Sequence, residues 1–257
     1  MTTPALGRCD PTVLLAVVVL VPLSLLRVYQ PAPLAVLWAA AALAVVLTAG
    51  VPPLRLLLAQ LPFVSFGLSL VMVNAVTRGG AVVAVCGPFE ITGLGLRTGL
   101  ALAVRTLLVG VCATGFLAVT DPGRLLVSLH QVGHLPVRVT YALLAAHRLL
   151  DDLPAEWTTI RRAHAVREPV RSPGPAAARR RLSRSPHALA RAAFVLLVTS
   201  IRRAERVAIS LESRGLGALG ASSRTAWHPA AVTWRDALLL AVVTCALAAT
   251  LLAPTLA

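Results

Sequence analysis

The sequence predicts an all-α, polytopic membrane protein: about five transmembrane helices, with a cytoplasmic helical region inserted before the last span. Three observations carry that prediction. The chain of 257 residues is 57% hydrophobic and only 13% charged, too apolar for a soluble domain of this size. Its apolar residues fall into runs long enough to cross a bilayer. Its arginines cluster instead between residues 120 and 235, which holds 18 of them against seven acids.

In chain order, residues 12–29 form a first expected span, and Gln30-Pro31-Ala32-Pro33 turns the chain into a second at 34–49. Gly50-Val51-Pro52-Pro53 breaks that helix, Arg55 marks an interface, and 56–76 gives a third span that Pro62 is expected to kink. Residues 77–95 are glycine-rich and read as a loop, with 81–85 a candidate re-entrant piece. The fourth span, 96–119, carries Arg97 near its start and Arg105 near its middle. A mid-span arginine costs about 2.5–3.5 kcal/mol on insertion scales, so it must face protein or water. Neighbouring helix carbonyls are the simplest partner, and a partner surface is the alternative. The last span begins after Arg235-Asp236 and covers 237–253.

This divides the chain into a membrane region, 1–119, a cytoplasmic region, 120–234, and a C-terminal membrane helix, 235–257. The excess of +11 over residues 120–235 places that region in the cytoplasm. An even number of preceding spans puts the N-terminus there too, and the fifth span leaves the C-terminus outside. Within the region, Gly123–His134 and Pro136–Leu150 have helical periodicity, Asp151-Asp152 before Pro154 starts a new helix, and Glu168-Pro169 ends it. Residues 171–186, RSPGPAAARRRLSRSP, read as a solvated basic linker near anionic lipid, and without interleaved aromatics they do not suit nucleic acid. A long helix over 187–214 follows, with an apolar stripe at Leu189, Ala193, Leu197, Ile201, Ala204, Ala208 and Leu211. Its small residues Ala204 and Ala208 would let another helix cross closely, and Ala163 is the expected counterpart.

Composition excludes some chemistry. All 24 basic residues are arginine, so neither a Walker-type phosphate loop nor a lysine Schiff base can form. The four cysteines lack CxxC spacing and read as small hydrophobes. His130 and His134 share a helix face but have no third metal ligand nearby in sequence, and Glu205 and Glu212 read as partners of adjacent arginines. No catalytic, cofactor-binding or metal site is expected.

Ser213-Arg214-Gly215 ends the long helix by presenting an arginine at a glycine stop. Arg203-Ala204-Glu205 followed by Leu211-Glu212-Ser213-Arg214-Gly215-Leu216 resembles, at the same spacing, the "RAE" and "MEARGF" pattern of the transmembrane T component of energy-coupling factor transporters, the CbiQ-like or EcfT-like family. That family carries two such tips. The other corresponds to Ile160–Glu168, where the family typically reads "AQxARG"; Arg167 is kept, while His164, Val166 and Glu168 replace glutamine, alanine and glycine. The resemblance extends in outline to Thr120-Asp121-Pro122, the Arg105 span and Arg235-Asp236.

The resemblance implies a non-catalytic coupling subunit. Arg167 and Arg214, within Val166-Arg167-Glu168 and Ser213-Arg214-Gly215, would dock into two cytoplasmic ABC ATPase subunits, and a separate membrane S component would choose a vitamin or transition-metal ion. An always-charged, forked guanidinium on a helix tip suits pairing with carboxylates. The competing readings are a permease that binds its own substrate, for which polar residues in the spans are scarce, and a membrane-anchored interaction protein acting through its basic region. An intramembrane enzyme lacks a paired catalytic constellation.

Overall fold

The computed structural model describes residues 5–86, 89–167, 186–216, 229–230 and 232–252. These group into two compact units, one of Met1–Val132 with Ala230–Ala257 and the other Gly133–Pro229.

The first unit is the membrane bundle. A 3-10 turn at Ala5–Arg8 precedes α1 (Pro11–Ser24), α2 (Pro31–Ala49), α3 (Pro53–Thr77), α4 (Gly93–Val119), α5 (Pro122–Gln131) and, after the second unit, α8 (Trp234–Leu252). Helices α2, α3, α4 and α8 are long and apolar enough to cross a membrane. The first expected span is shorter than the sequence suggests: α1 has 14 residues, and 25–27 are turns. Pro22 lies two residues before its end, and the last carbonyls are taken up by tight bonds from Leu26 N to Leu23 O (3.4 Å) and Val28 N to Leu25 O (3.0 Å). Prolines start α1, α2, α3 and α5, where a missing N–H costs nothing.

Helices α3 and α4 pack antiparallel at close range. A Cβ on Gly99 would lie 2.7 Å from Val71 Cα, and one on Gly110 would lie 2.7 Å from the Phe63 ring. Only glycine permits this approach. Pro62 sits inside a continuous α3. The core holds two apolar clusters, one with Leu25, Leu34 and Leu108, the other with Val45, Leu56 and Val111.

The loop 77–95 is a correction. In place of a re-entrant piece the chain forms an antiparallel hairpin of β1 (Val82–Cys86) and β2 (Phe89–Thr92). The β-branched run Val82, Val83 and Val85 favours a strand over a helix too short to nucleate. Thr92 pins it, donating to the Arg78 carbonyl at 2.6 Å and accepting from Gly95 N as the cap of α4.

The second unit pairs α6 (Val137–Arg167) with α7 (Pro186–Ser213). The expected break at Asp151-Asp152-Pro154 is absent, and α6 runs through Pro154. An interior proline costs about 3 kcal/mol, so packing along α7 must outweigh it. Asp152 meets Arg203 of α7 at 2.5 Å. The second unit begins at Gly133, because α5 packs on α1 in the first unit.

Candidate functional site: two arginine tips, an intramembrane arginine and a buried aspartate node

The long helix closes as its sequence suggests it can. Gly215 has φ 81, and Leu216 N donates to Leu211 O (3.0 Å) while Gly215 N donates to Glu212 O (2.9 Å). This paired bonding satisfies the last carbonyls and leaves Arg214 as the cap residue. Ser213 donates its hydroxyl back to Ser210 O (2.9 Å). Arg214 is exposed. At the other tip, Arg167 is the last residue of α6, also exposed, with Val166 beside it at 85% exposure. Glu168 and residues 171–185 of the basic linker lie outside the described residues. Neither tip arginine meets a carboxylate among the described residues.

Two contacts fix the relative direction of the helices. Asp152 reaches Arg203, while earlier in α6 Arg138 and Ala142 line one cavity with Leu211, near the end of α7, and Leu216, just past it. The helices therefore run antiparallel, and Arg167 and Arg214 stand at opposite ends of the pair. At 1.5 Å per residue, Arg167 lies ~22 Å beyond Asp152 in one direction and Arg214 ~16 Å beyond Arg203 in the other.

That geometry corrects the expected helix crossing. Ala204 and Ala208 line a cavity of about 380 Å³ with Ala142, Ala145 and Ala146 of α6. Ala163, ~16 Å further along α6 than Asp152, is not their counterpart. Leu197 and Ile201 of the predicted apolar stripe are 57% and 58% exposed, whereas Ala204, Ala208 and Leu211 of the same stripe line the cavity with α6.

Arg105 has found protein. One terminal nitrogen donates to the carbonyls of Val28 (2.7 Å) and Leu26 (3.3 Å), and the guanidinium carbon lies 5.8 Å from the centre of the Tyr29 ring. Its Nε is buried without a partner. The early end of α1 and the arginine explain each other, since carbonyls freed inside the bundle need a donor and a mid-span cation needs acceptors.

Sequence reasoning missed one feature, a buried polar node joining three distant segments. Asp236, fully buried, accepts from Thr233 N (2.7 Å), Thr233 Oγ1 (2.9 Å) and Asp10 N (2.7 Å). Asp10 in turn caps α1 by accepting from Thr12 N (2.8 Å), and it accepts the Ser128 hydroxyl of α5. The Cys9 thiol beside it is pushed above its ordinary pKa, first by burial and then by the Asp236 charge. The sequence signals were Asp-Pro at 10–11, a helix-start pattern, and Arg235-Asp236 at the start of the last span. The node brings the start of α1 to α5 and to the first turn of α8, at the opposite end of α1 from Arg105.

Among the described residues no group of His, Cys, Asp and Glu could hold a metal ion. A family model described as "CbiQ: Cobalt transport protein" matches residues 7–226, most of the chain. No curated protein matches it.

Proposed function

The chain belongs to the CbiQ family of cobalt transport proteins, and we propose that it is the transmembrane coupling subunit of an energy-coupling factor transporter. In this reading Arg167 and Arg214 each pin one of two cytoplasmic ABC ATPase subunits, and a separate membrane S component carries the vitamin or transition-metal ion. The membrane bundle contacts that component, and the α6–α7 pair transmits ATPase closure to it as a rigid movement. The chain itself is not catalytic. Its N-terminus is cytoplasmic and its C-terminus outside, with α5, α6 and α7 on the cytoplasmic side.

One observation carries the reading: two exposed arginines, each at the C-terminal tip of a long helix, stand at opposite ends of one antiparallel pair. Each tip would dock in an acidic groove of one ATPase, and forked guanidinium–carboxylate bonds suit such docking. The test is co-purification with the ATPases from mild detergent, together with an uptake assay. Arg167→Ala and Arg214→Ala should each weaken ATPase retention, and the double variant should abolish it with membrane insertion unchanged. Full ATPase retention and transport by the double variant would overturn the assignment.

A further inference from the structure

At the end of the membrane bundle where α1 stops, two arginines flank one tyrosine and two more lie on neighbouring segments. Arg105 approaches Tyr29 from α4 at 5.8 Å, and Arg78, just past the end of α3, approaches it at 6.0 Å from the ring centre. The two guanidinium carbons are therefore no more than about 12 Å apart. Arg27 and Arg97 lie on neighbouring segments of the same end, and Glu90 of the hairpin is the only acid in these segments. None of the four arginines is within ion-pair distance of a carboxylate among the described residues. Arg78 spends only its Nε, on Asn74 Oδ1 at 3.2 Å, and the Arg105 Nε is buried without a partner. Like charges sharing one aromatic ring at the edge of a low-dielectric region call for an anion.

The depth and the flanks identify the kind of anion. Helix α3 is ~37 Å long at 1.5 Å per residue, more than the ~30 Å hydrocarbon core, so Arg78 at its end reaches headgroup level. Tyr29 occupies the interfacial position that tyrosine favours and is 49% exposed. Just along α1 and its terminal turns, Leu23 and Leu26 are 58% and 52% exposed, giving an apolar path directly beside the cations. Cations above an apolar path match a phosphate above an acyl chain.

We propose that Arg27, Tyr29 and Arg78, with Arg105 beneath them, bind the phosphate headgroup of an anionic phospholipid. The lipid neutralises the arginine cluster and holds the loop between α1 and α2 against the ends of α3 and α4. Arg105, which also holds the end of α1, contributes charge and depth; Arg78 and Arg27 make the accessible contact.

Native mass spectrometry of the full chain, released from dodecyl maltoside after adding phosphatidylglycerol or phosphatidylcholine, tests this directly. Wild-type chain should retain phosphatidylglycerol over phosphatidylcholine. R27Q/R78Q should lose one retained phosphatidylglycerol, a drop of at least five-fold in the occupancy of the most strongly held molecule, and the control R161Q/R162Q should lose none. Tyr29→Phe, which keeps the ring, should retain the lipid, and Tyr29→Leu should lose it, so the question stays open to test even where the double variant folds poorly. An unchanged lipid count in both R27Q/R78Q and Tyr29→Leu overturns the proposal. Complete displacement of the lipid by millimolar inorganic phosphate also overturns it, because the site would then take free anions. So does loss of a co-purifying membrane protein with the lipid count unchanged, which would assign the cluster to a protein carboxylate.

Discussion

Replacing Gly215 by alanine tests the tip geometry separately from its charge. Gly215 adopts φ 81, a left-handed conformation in which an L side chain crowds the following carbonyl at a cost of roughly 1–2 kcal/mol. The bonds from Gly215 N to Glu212 O and from Leu216 N to Leu211 O depend on that conformation, and together they hold Arg214 at the cap position. With alanine the closed end loses that much stability relative to a frayed one. If docking needs the closed end, the penalty passes into binding, and at 1.4 kcal/mol per tenfold it weakens ATPase affinity about five- to thirty-fold. The assay is a binding isotherm of the detergent-solubilised chain with purified ATPase subunits, for Gly215→Ala, Gly215→Asn and Arg214→Ala. Asparagine tolerates the left-handed region and should recover most of the loss. The reasoning fails if Gly215→Ala binds like wild type while Arg214→Ala does not, because the arginine would then act without its fixed tip.

Other outcomes follow from single contacts. Asp236→Ala removes the acceptor of the buried Asp10 N–H and of both Thr233 donors, so it should cost about 3–5 kcal/mol and lower the detergent melting temperature sharply. Arg105→Ala should destabilise the bundle by about 1–3 kcal/mol, since the Leu26 and Val28 carbonyls lose their donor; Arg105→Lys should recover only part of that, read by the same melts. By contrast, Asp152→Ala should change stability by less than about 1 kcal/mol, because the pair it breaks with Arg203 is solvent-exposed on both sides. The nucleophile in alkylation is the thiolate, and a raised pKa leaves less of it at a given pH. Cys9 should therefore react with iodoacetamide more slowly than a free thiol at pH ~8, and Asp236→Ala should speed the reaction by removing charge and loosening burial.

Elements whose evidence is local were legible in the sequence. Apolar runs delimited α2, α3, α4 and α8 to within a few residues, and the glycine stop at Gly215 follows from the preference of glycine for positive φ. What misled the reading was also local. Pro154 after two aspartates is a sound helix start, yet α6 continues through it, because the energy of packing along α7 is not written in that stretch. The run 81–85 has the apolar character of a membrane piece, and only pairing with 89–92 makes it a strand.

The sequence by itself determined the solvent this protein lives in, the absence of lysine chemistry, and an arginine at each of two helix ends. Those properties belong to composition and to neighbouring residues, so no fold is needed to read them. Tertiary structure decided how the ends are disposed: α6 and α7 run antiparallel, which puts Arg167 and Arg214 far apart and sets Ala204 and Ala208 along a cavity shared with Ala142, Ala145 and Ala146, with Ala163 further along α6. It also decided that Arg105 holds the end of α1 and that Asp10 meets Asp236 across 226 positions of chain. Contacts at that separation depend on which helix faces meet, and an amphipathic or apolar pattern leaves several faces open until packing selects one.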